Sequence, residues 1–445
     1  MTPMRMPLLL LLAALLLASP VLAQSPPSSP PADERLNEVE KKLDAAIAEI
    51  ERMKLSGPAA TDTAPAMMSR LGFGPAASRV YGVASGPSIG GYGEALYDSP
   101  SQGLPRVDLL RAVFYIGHKF TPTLLFNSEI EFEHAGVRDE AVAEVDPLTG
   151  EGTAELTGEV VMEFAYLDWM ARPSLGVRAG KVLVPMGLVN EQHEPPVFIG
   201  ARRPETERFI IPSTWAAVGA GLYGGTPGGL EWRAYLMEGL DGAHFSASSG
   251  IRSGRQGGSQ AVVTHPALAA RADWKGTAGL LVGLAGYTGD SWQQADPAGV
   301  DLSARVSLTD VHGTYRWRGL ELRGLYAMGT LGQAGELSDE LGLAGADRLG
   351  ERFWGGYAEA AWDLAPTLWP GSTWGLLPYL RTEKYDTQDE VPGGVESPAL
   401  ERSILTFGVA VKPHPNVVIK TDRESFSDAA GGDASRWNVA LGWLF

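Results

Sequence analysis

The chain has 445 residues, 36 basic against 53 acidic for a net charge of −17, and no cysteine. The acidic balance excludes a nucleic-acid partner, which needs cations to neutralise phosphates, and the lack of cysteine excludes a disulfide framework. Fifty-five glycines and 9% aromatic residues suit a fold of many strands and turns.

In chain order, Met1–Met6 carries Arg5, Leu8 to Leu17 is almost pure Leu and Ala, and Val21-Leu22-Ala23 offers a small-residue cleavage site before Gln24. Residues 1–23 therefore read as a secretory signal peptide. Its apolar core is shorter than the ~20 residues a spanning helix needs, and no later segment supplies such a run, which excludes a helical membrane protein. Residues 24–32 are a Ser/Pro linker. Residues 33–55 predict a helix: Leu36, Val39, Leu43, Ala46, Ile50 and Met53 recur at spacings of three and four, with Glu, Lys, Asp and Arg between them. A lone helix of this length is marginal in water, so the apolar stripe is read as a short periplasmic coiled coil joining subunits. Residues 56–87, rich in Ala, Gly, Pro and Ser, read as a flexible tether.

From about Ser88 to Phe445, segments of about ten residues alternate in polarity, as strands with two different faces do. In Leu124–Glu133, the positions Leu124, Phe126, Ser128, Ile130 and Phe132 oppose Leu125, Asn127, Glu129, Glu131 and Glu133. Sixteen such strands are predicted, starting near Ile89, Pro105, Thr123, Gly158, Leu175, Thr214, Gly229, Ala267, Thr277, Leu302, Leu320, Phe353, Trp374, Arg402, Val417 and Arg436. Their connections alternate. Tight Pro/Gly turns such as Lys275-Gly276, Arg318-Gly319 and Lys412-Pro413-His414-Pro415 lie between longer polar stretches such as residues 135–157, 188–213 and 241–266. The last strand, Arg436–Phe445, sets Trp437, Val439, Leu441, Trp443 and Phe445 on one face. That strand resembles the carboxy-terminal signature of bacterial outer-membrane proteins. The expected fold is all-β: a transmembrane antiparallel barrel of about sixteen strands in the outer membrane, its outer face meeting lipid, preceded by a short coiled-coil helix in the periplasm.

Charge on a lipid face costs ~2–4 kcal/mol near the midplane. Charged strand residues are therefore assigned to the lumen: Arg111, Glu129, Glu131, Arg178, Lys181, Arg233, Arg271, Arg316, Arg323, Arg381, Glu383 and Lys420. Sixteen strands leave room for a water-filled channel, in which such residues either set a field for solutes or pair off to stabilise the wall. The third connection on the side of the longer stretches carries Glu191, His193, Glu194, Arg202, Arg203, Glu205, Glu207 and Arg208.

Gly180-Lys181-Val182-Leu183-Val184-Pro185-Met186-Gly187, with Glu207-Arg208-Phe209 further on, resembles the phosphate-selective porin family (the O and P porins). Asp310-Val311-His312 before Tyr315, and Tyr379 to Tyr385, are similar to strands of that family. The resemblance implies a homotrimeric, sixteen-stranded porin whose third extracellular loop folds inward, with Glu191, His193, Arg202, Arg203, Glu207 and Arg208 at the narrowing. Because the chain is acidic and poor in lysine, the expected activity is passive diffusion of small hydrophilic solutes, biased by arginine, rather than phosphate selection. Two other readings stand beside it: an envelope tether that uses the barrel as anchor, and a barrel hydrolase, for which no Ser, His and acid grouping is legible. Gly86-Pro87-Ser88-Ile89-Gly90 fits a nucleophile-elbow pattern but runs from linker into strand, without the helix that motif needs. Neither the seven histidines nor Asp386, Asp389 and Glu390 have the spacing of a metal site, and no cofactor or enzymatic activity is expected.

Overall fold

In the computed structural model, residues 72–136, 141–145, 152–156, 158–172, 174–294 and 301–445 are described, together with Lys41, which is helical. The expected signal peptide, Ser/Pro linker and, Lys41 aside, coiled coil lie outside the described residues.

The strands, in chain order, are β1 (Gly86–Pro100), β2 (Arg106–Lys119), β3 (Leu124–Glu133), β4 (Ala141–Val145), β5 (Gly152–Leu156), β6 (Val160–Arg172), β7 (Leu175–Leu183), β8 (Ala216–Gly225), β9 (Leu230–Glu238), β10 (Pro266–Trp274), β11 (Leu280–Asp290), β12 (Arg305–Trp317), β13 (Leu320–Leu331), β14 (Arg352–Trp362), β15 (Gly375–Glu390), β16 (Glu401–His414), β17 (Val417–Asp428) and β18 (Asp433–Leu444). Sixteen of them close an antiparallel barrel in which each pairs with its neighbour along the chain and β1 meets β18. The hairpin β4–β5 stands apart, in the connection between β3 and β6. The seam β1–β18 runs from Tyr92 opposite Leu444 to Pro100 opposite Arg436. Gly91 and Phe445 exchange both backbone hydrogen bonds, at 3.0 and 2.9 Å, so no strand edge is left to satisfy in lipid.

Period-two alternation decides which side chain meets which solvent. On β18, Trp437, Val439 and Leu441 are 42–48% exposed on the outer face, whereas Asn438 and Ala440 between them are buried. On β3, Leu125, Asn127, Glu129 and Glu131 point inward and are buried. Ser128 on the outer face is also buried, because its hydroxyl donates to the Ile116 carbonyl at 2.8 Å; an unpaired hydroxyl against hydrocarbon would be costly. Trp169, Trp274, Trp317 and Trp362, all exposed, sit at or near strand ends on one and the same side of the barrel, three of them beside short connections. They form the aromatic girdle expected at a membrane–water interface.

The observed strands begin within three residues of the predicted starts. Two features of the connections differ from the expected alternation. The link between β14 and β15 is long for the short-turn side and contains a helix, Ala365–Leu368. Residues 101–105 and 429–432, on the other side, are short. The tether expected over residues 56–87 also ends earlier than its composition suggests. Phe73, Ala76, Ala77, Val80 and Tyr81 are buried, and a short helix α1 (Arg79–Gly82) precedes β1. Small residues that would make a segment flexible in water also let it fit into a narrow space.

The face assignment has a direct consequence. Leu284, mid-strand on β11, is 55% exposed on the outer face, so Leu284→Arg is expected to destabilise the barrel by ~2–4 kcal/mol, measured by denaturant unfolding in lipid vesicles. An unchanged midpoint and slope would place that face away from hydrocarbon.

Candidate functional site: the barrel lumen

The wall comes first, because strand parity positions it. Arg111, Glu129, Glu131, Arg178, Arg233, Arg271, Arg316, Arg323, Arg381, Glu383 and Lys420 all lie on the inward register of their strands. Lys181 does not. It is three residues from Arg178 and shares the parity of Leu175, Val177 and Ala179, so β7 turns it outward. There it runs alongside Gly257 and Gly258 of the β9–β10 connection and Val218 of β8. Period-two geometry forbids Arg178 and Lys181 from sharing a face of one regular strand.

The inward residues form connected networks. Arg111 bridges Glu94 at 3.2 Å and Glu131 at 3.0 Å. Arg381 contacts Glu383 at 2.8 Å, with Glu359 and Glu424 both at 3.6 Å. Arg316, near the short-turn end, is exposed and pairs with Glu321 at 3.0 Å, which Arg323 also contacts. Many of these residues are out of reach of water: Glu129, Arg178, Arg381 and Lys420 are at most 1% exposed. Much of the space that sixteen strands enclose is filled by protein, and among the described residues two segments contribute most directly to the networks above.

The first is the third loop, residues 184–215, the third connection on the side opposite the short turns. Its base is closed by Asn190, whose amide donates to the carbonyls of Val184 at 2.7 Å and Trp215 at 2.9 Å and accepts from the Trp215 amide at 2.6 Å. Gly187 has φ +71°, and a Cβ there would lie 2.5 Å from the Glu207 carboxylate, so only glycine fits this turn without strain. The Gly187 amide donates to Asp310 at 2.9 Å and its carbonyl accepts from Arg271. From there a chain of charges runs along the wall. Arg271 and Arg233 both hold Glu191 and Asp273, and His312 stands between Asp273 at 2.9 Å and Asp310 at 2.5 Å.

The loop then crosses to the opposite wall. The Val197 carbonyl accepts from Arg323, and those of Pro196, Gly200 and Arg202 accept from Lys412 (2.9 Å), Lys420 (2.8 Å) and Arg381 (3.2 Å). The amides of Ala201 and Thr206 donate to Asp422 at 2.7 Å and Glu383 at 3.1 Å. A short helix α2 (Glu205–Phe209) follows.

The carboxylates and arginines of this loop have different fates. Glu191, Glu194, Glu205 and Glu207 are buried, whereas Arg202, Arg203 and Arg208 keep partial exposure. Glu207 accepts from the Val189 amide and the Tyr357 hydroxyl, each at 2.7 Å. Glu205 faces Arg436 at 3.5 Å and Arg208 at 3.6 Å. Arg202 reaches Asp98 at 3.3 Å, and Arg203 donates to the His193 carbonyl at 3.3 Å. His193 is buried, with Nδ1 donating to the Asn190 carbonyl at 2.9 Å and Nε2 3.1 Å from Glu129; one proton shared between ring and carboxyl satisfies that second contact. Asp389 and Glu390, at the end of β15, are paired with Arg352 at 2.6 and 3.1 Å.

The second insert, residues 72–83, was not legible as part of the site. Glu194 accepts the amides of Ala76 at 3.1 Å and Ala77 at 2.9 Å, and burial pushes its carboxyl up to about 7. The Asn127 amide donates to the Ala77 carbonyl at 3.0 Å. The Tyr81 hydroxyl donates to Asp168 at 2.6 Å and accepts from Arg178 at 3.1 Å. Arg178 lies 4.6 Å from the ring centres of both Phe73 and Tyr166 and 4.8 Å from that of Tyr223, within cation–π range. The one sequence signal was Phe73, Val80 and Tyr81, large apolar groups in a stretch of Gly, Ala and Ser.

No known family profile matches the chain, so the likeness to phosphate-selective porins rests on its short segments alone. An uncharacterised protein of Aquifex aeolicus (strain VF5) is 37% identical over 386 residues, covering 84% of this chain and 83% of that protein. Among solved structures, the loop L8 deletion mutant of OmpT, an outer membrane protein of Vibrio cholerae, superposes with a TM-score of 0.51 at 9% identity, over 82% of this chain and 100% of that one. The closed sixteen-strand antiparallel barrel is thus an outer-membrane barrel fold, and by sequence the chain belongs to the same family as the Aquifex aeolicus protein.

Proposed function

We propose that this protein is an outer-membrane channel for passive diffusion of small hydrophilic solutes, with anions favoured where the third loop narrows the lumen. The observation that carries this reading is the division of charge within that loop. Its carboxylates are buried as acceptors for backbone amides, hydroxyls and wall arginines, while Arg202, Arg203 and Arg208 remain within reach of water. A solute in the lumen therefore meets a loop more positive than its composition, although the chain as a whole is acidic. Fixed guanidinium groups suit carboxylate and phosphate oxygens. A trimeric assembly and a periplasmic coiled coil over residues 33–55 belong to the same reading.

A hydrolytic role draws no support from the two histidines that would serve it. Both ring nitrogens of His193 and of His312 are engaged by buried partners, which leaves neither to activate a hydroxyl.

Purified protein in planar bilayers is expected to conduct, and its reversal potential under a KCl gradient to favour chloride. The triple variant Arg202→Ala, Arg203→Ala, Arg208→Ala is expected to lower the chloride-to-potassium permeability ratio by about sevenfold per arginine at low salt, since one unit charge at about 7 Å in water is worth about threefold on each ion and acts oppositely on the two. An unchanged reversal potential would remove the arginines from the solute path, and folded protein that opens no pore would end the channel reading.

A further inference from the structure

The third loop is joined to the wall at both ends, through β7 and β8. Among the described residues, residues 72–83 are joined to it through β1, the first strand of the closed barrel. From the short-turn end of β1 this strap folds back into the lumen. At its mouth, Lys119 at the end of β2 holds the carbonyls of Tyr81 at 3.2 Å and Val83 at 2.9 Å. Deeper, Val80 packs on Gly117, where a Cβ would come within 2.9 Å of the Val80 Cβ. Deeper still, Phe73 stacks on Tyr166 with ring centres 5.6 Å apart, and Gly72 lies beside the Arg233–Glu191 pair, 3.0 Å from each for a Cβ built there. The strap thus lines the wall from β2 to β9, which the third loop touches only through pairs such as His193–Glu129 and Glu191–Arg233.

We propose that residues 72–83 are a gate: a strap that closes the short-turn side of the lumen and must swing out about the Val83–Gly86 junction for solutes to pass. The proposal rests on the channel reading above.

Three features fit a segment that docks and undocks. Its backbone is held largely by side chains of the wall and of the third loop, so release breaks hydrogen bonds that water replaces at small net cost. Its large apolar anchors are few, namely Phe73, Val80 and Tyr81, and the residues between Phe73 and Val80 include Gly74, Ala76, Ala77 and Ser78, which lose little side-chain entropy on docking. The latch, Glu194, belongs to the third loop rather than to the wall. A Cβ on Gly74 would lie 2.5 Å from its Cδ, so strap and latch fit closely and a shift of the loop is felt by the strap. Undocking would also uncover Arg178 between Tyr166, Tyr223 and Asp168, opening a cationic, aromatic-lined lane along β6 to β8.

The test uses the full chain, which has no native cysteine. The pair Val80→Cys and Gly117→Cys places two thiols where the strap meets β2; the Cβ separation is slightly under the usual 3.5–4.5 Å of a disulfide, a gap that a small movement of the strap relieves. With the bond verified by mass, oxidised protein in planar bilayers is expected to conduct at about a tenth of the level of the reduced protein or less, with recovery on adding reductant. Separately, Glu194→Ala removes two charge-assisted hydrogen bonds and is expected to raise the open-to-closed ratio by about tenfold or more. Equal, non-zero conductance of the oxidised and reduced proteins would overturn the gate and leave the channel standing. Absence of conductance in the oxidised, reduced and Glu194→Ala proteins alike would overturn the channel reading and the gate with it.

Discussion

A backbone segment carried into the middle of a barrel takes its amides and carbonyls away from bulk water, and each of them needs a partner there. Everything inside this protein follows from how that requirement is met. The wall divides the work by charge. Arg271, Arg323, Arg381, Lys412 and Lys420 donate to carbonyls of the third loop, while Asp310, Glu383 and Asp422 accept its amides. Charged residues on the inward face are therefore, in the first place, the hydrogen-bonding complement of an infolded loop. Removing one partner would leave a buried charge or a buried peptide group unpaired, which is the costly outcome.

The same requirement reshapes the electrostatics that a solute would meet. Carboxylates serve best as acceptors for inward-pointing amides, so the acids of the loop are drawn into its packing. Arginine, with a long stem and a guanidinium whose donors point several ways, both anchors the loop and keeps part of its surface in water. A chain of net charge −17 can thus present a locally positive path, because net charge counts residues and a lumen counts only those that water reaches.

Outside the barrel the constraint is reversed. Lipid offers no hydrogen bonds, so the strands must close on themselves, and the β1–β18 seam with its Gly91–Phe445 exchange does so. The closed wall gives the lumen a frame on which the inserts are held. They differ in how they are held: the loop is tied at both ends and stitched to walls on opposite sides of the lumen, whereas the strap depends on β1, Lys119, Asn127, the Arg178–Asp168 cluster and one loop carboxylate. Glu194, recognisable in the sequence only as half of a His-Glu pair, joins the two.

The barrel itself was legible in the sequence because strand parity is local. Alternation within Leu124–Glu133 or Arg436–Phe445 needs no knowledge of the rest of the chain, and short Pro/Gly turns mark one end of nearly every hairpin. Parity also fixes the face of each charged strand residue, and it sets Lys181, three residues from Arg178 on β7, on the opposite face. What lies inside the barrel left little trace in the residue pattern: an inward third loop was implied by the resemblance alone, and the strap was not legible. Asp310 and Gly187, or Lys119 and Tyr81, are remote in sequence or ordinary in type, and hydrogen bonds from a side chain to a distant backbone leave no periodic trace. The sequence by itself determined the number of strands, their faces and the solvent each face meets, since a two-residue repeat is written in consecutive positions. Only the tertiary structure decided that the lumen is occupied, by which segments and through which carboxylates, since those contacts exist only once the wall has closed around them.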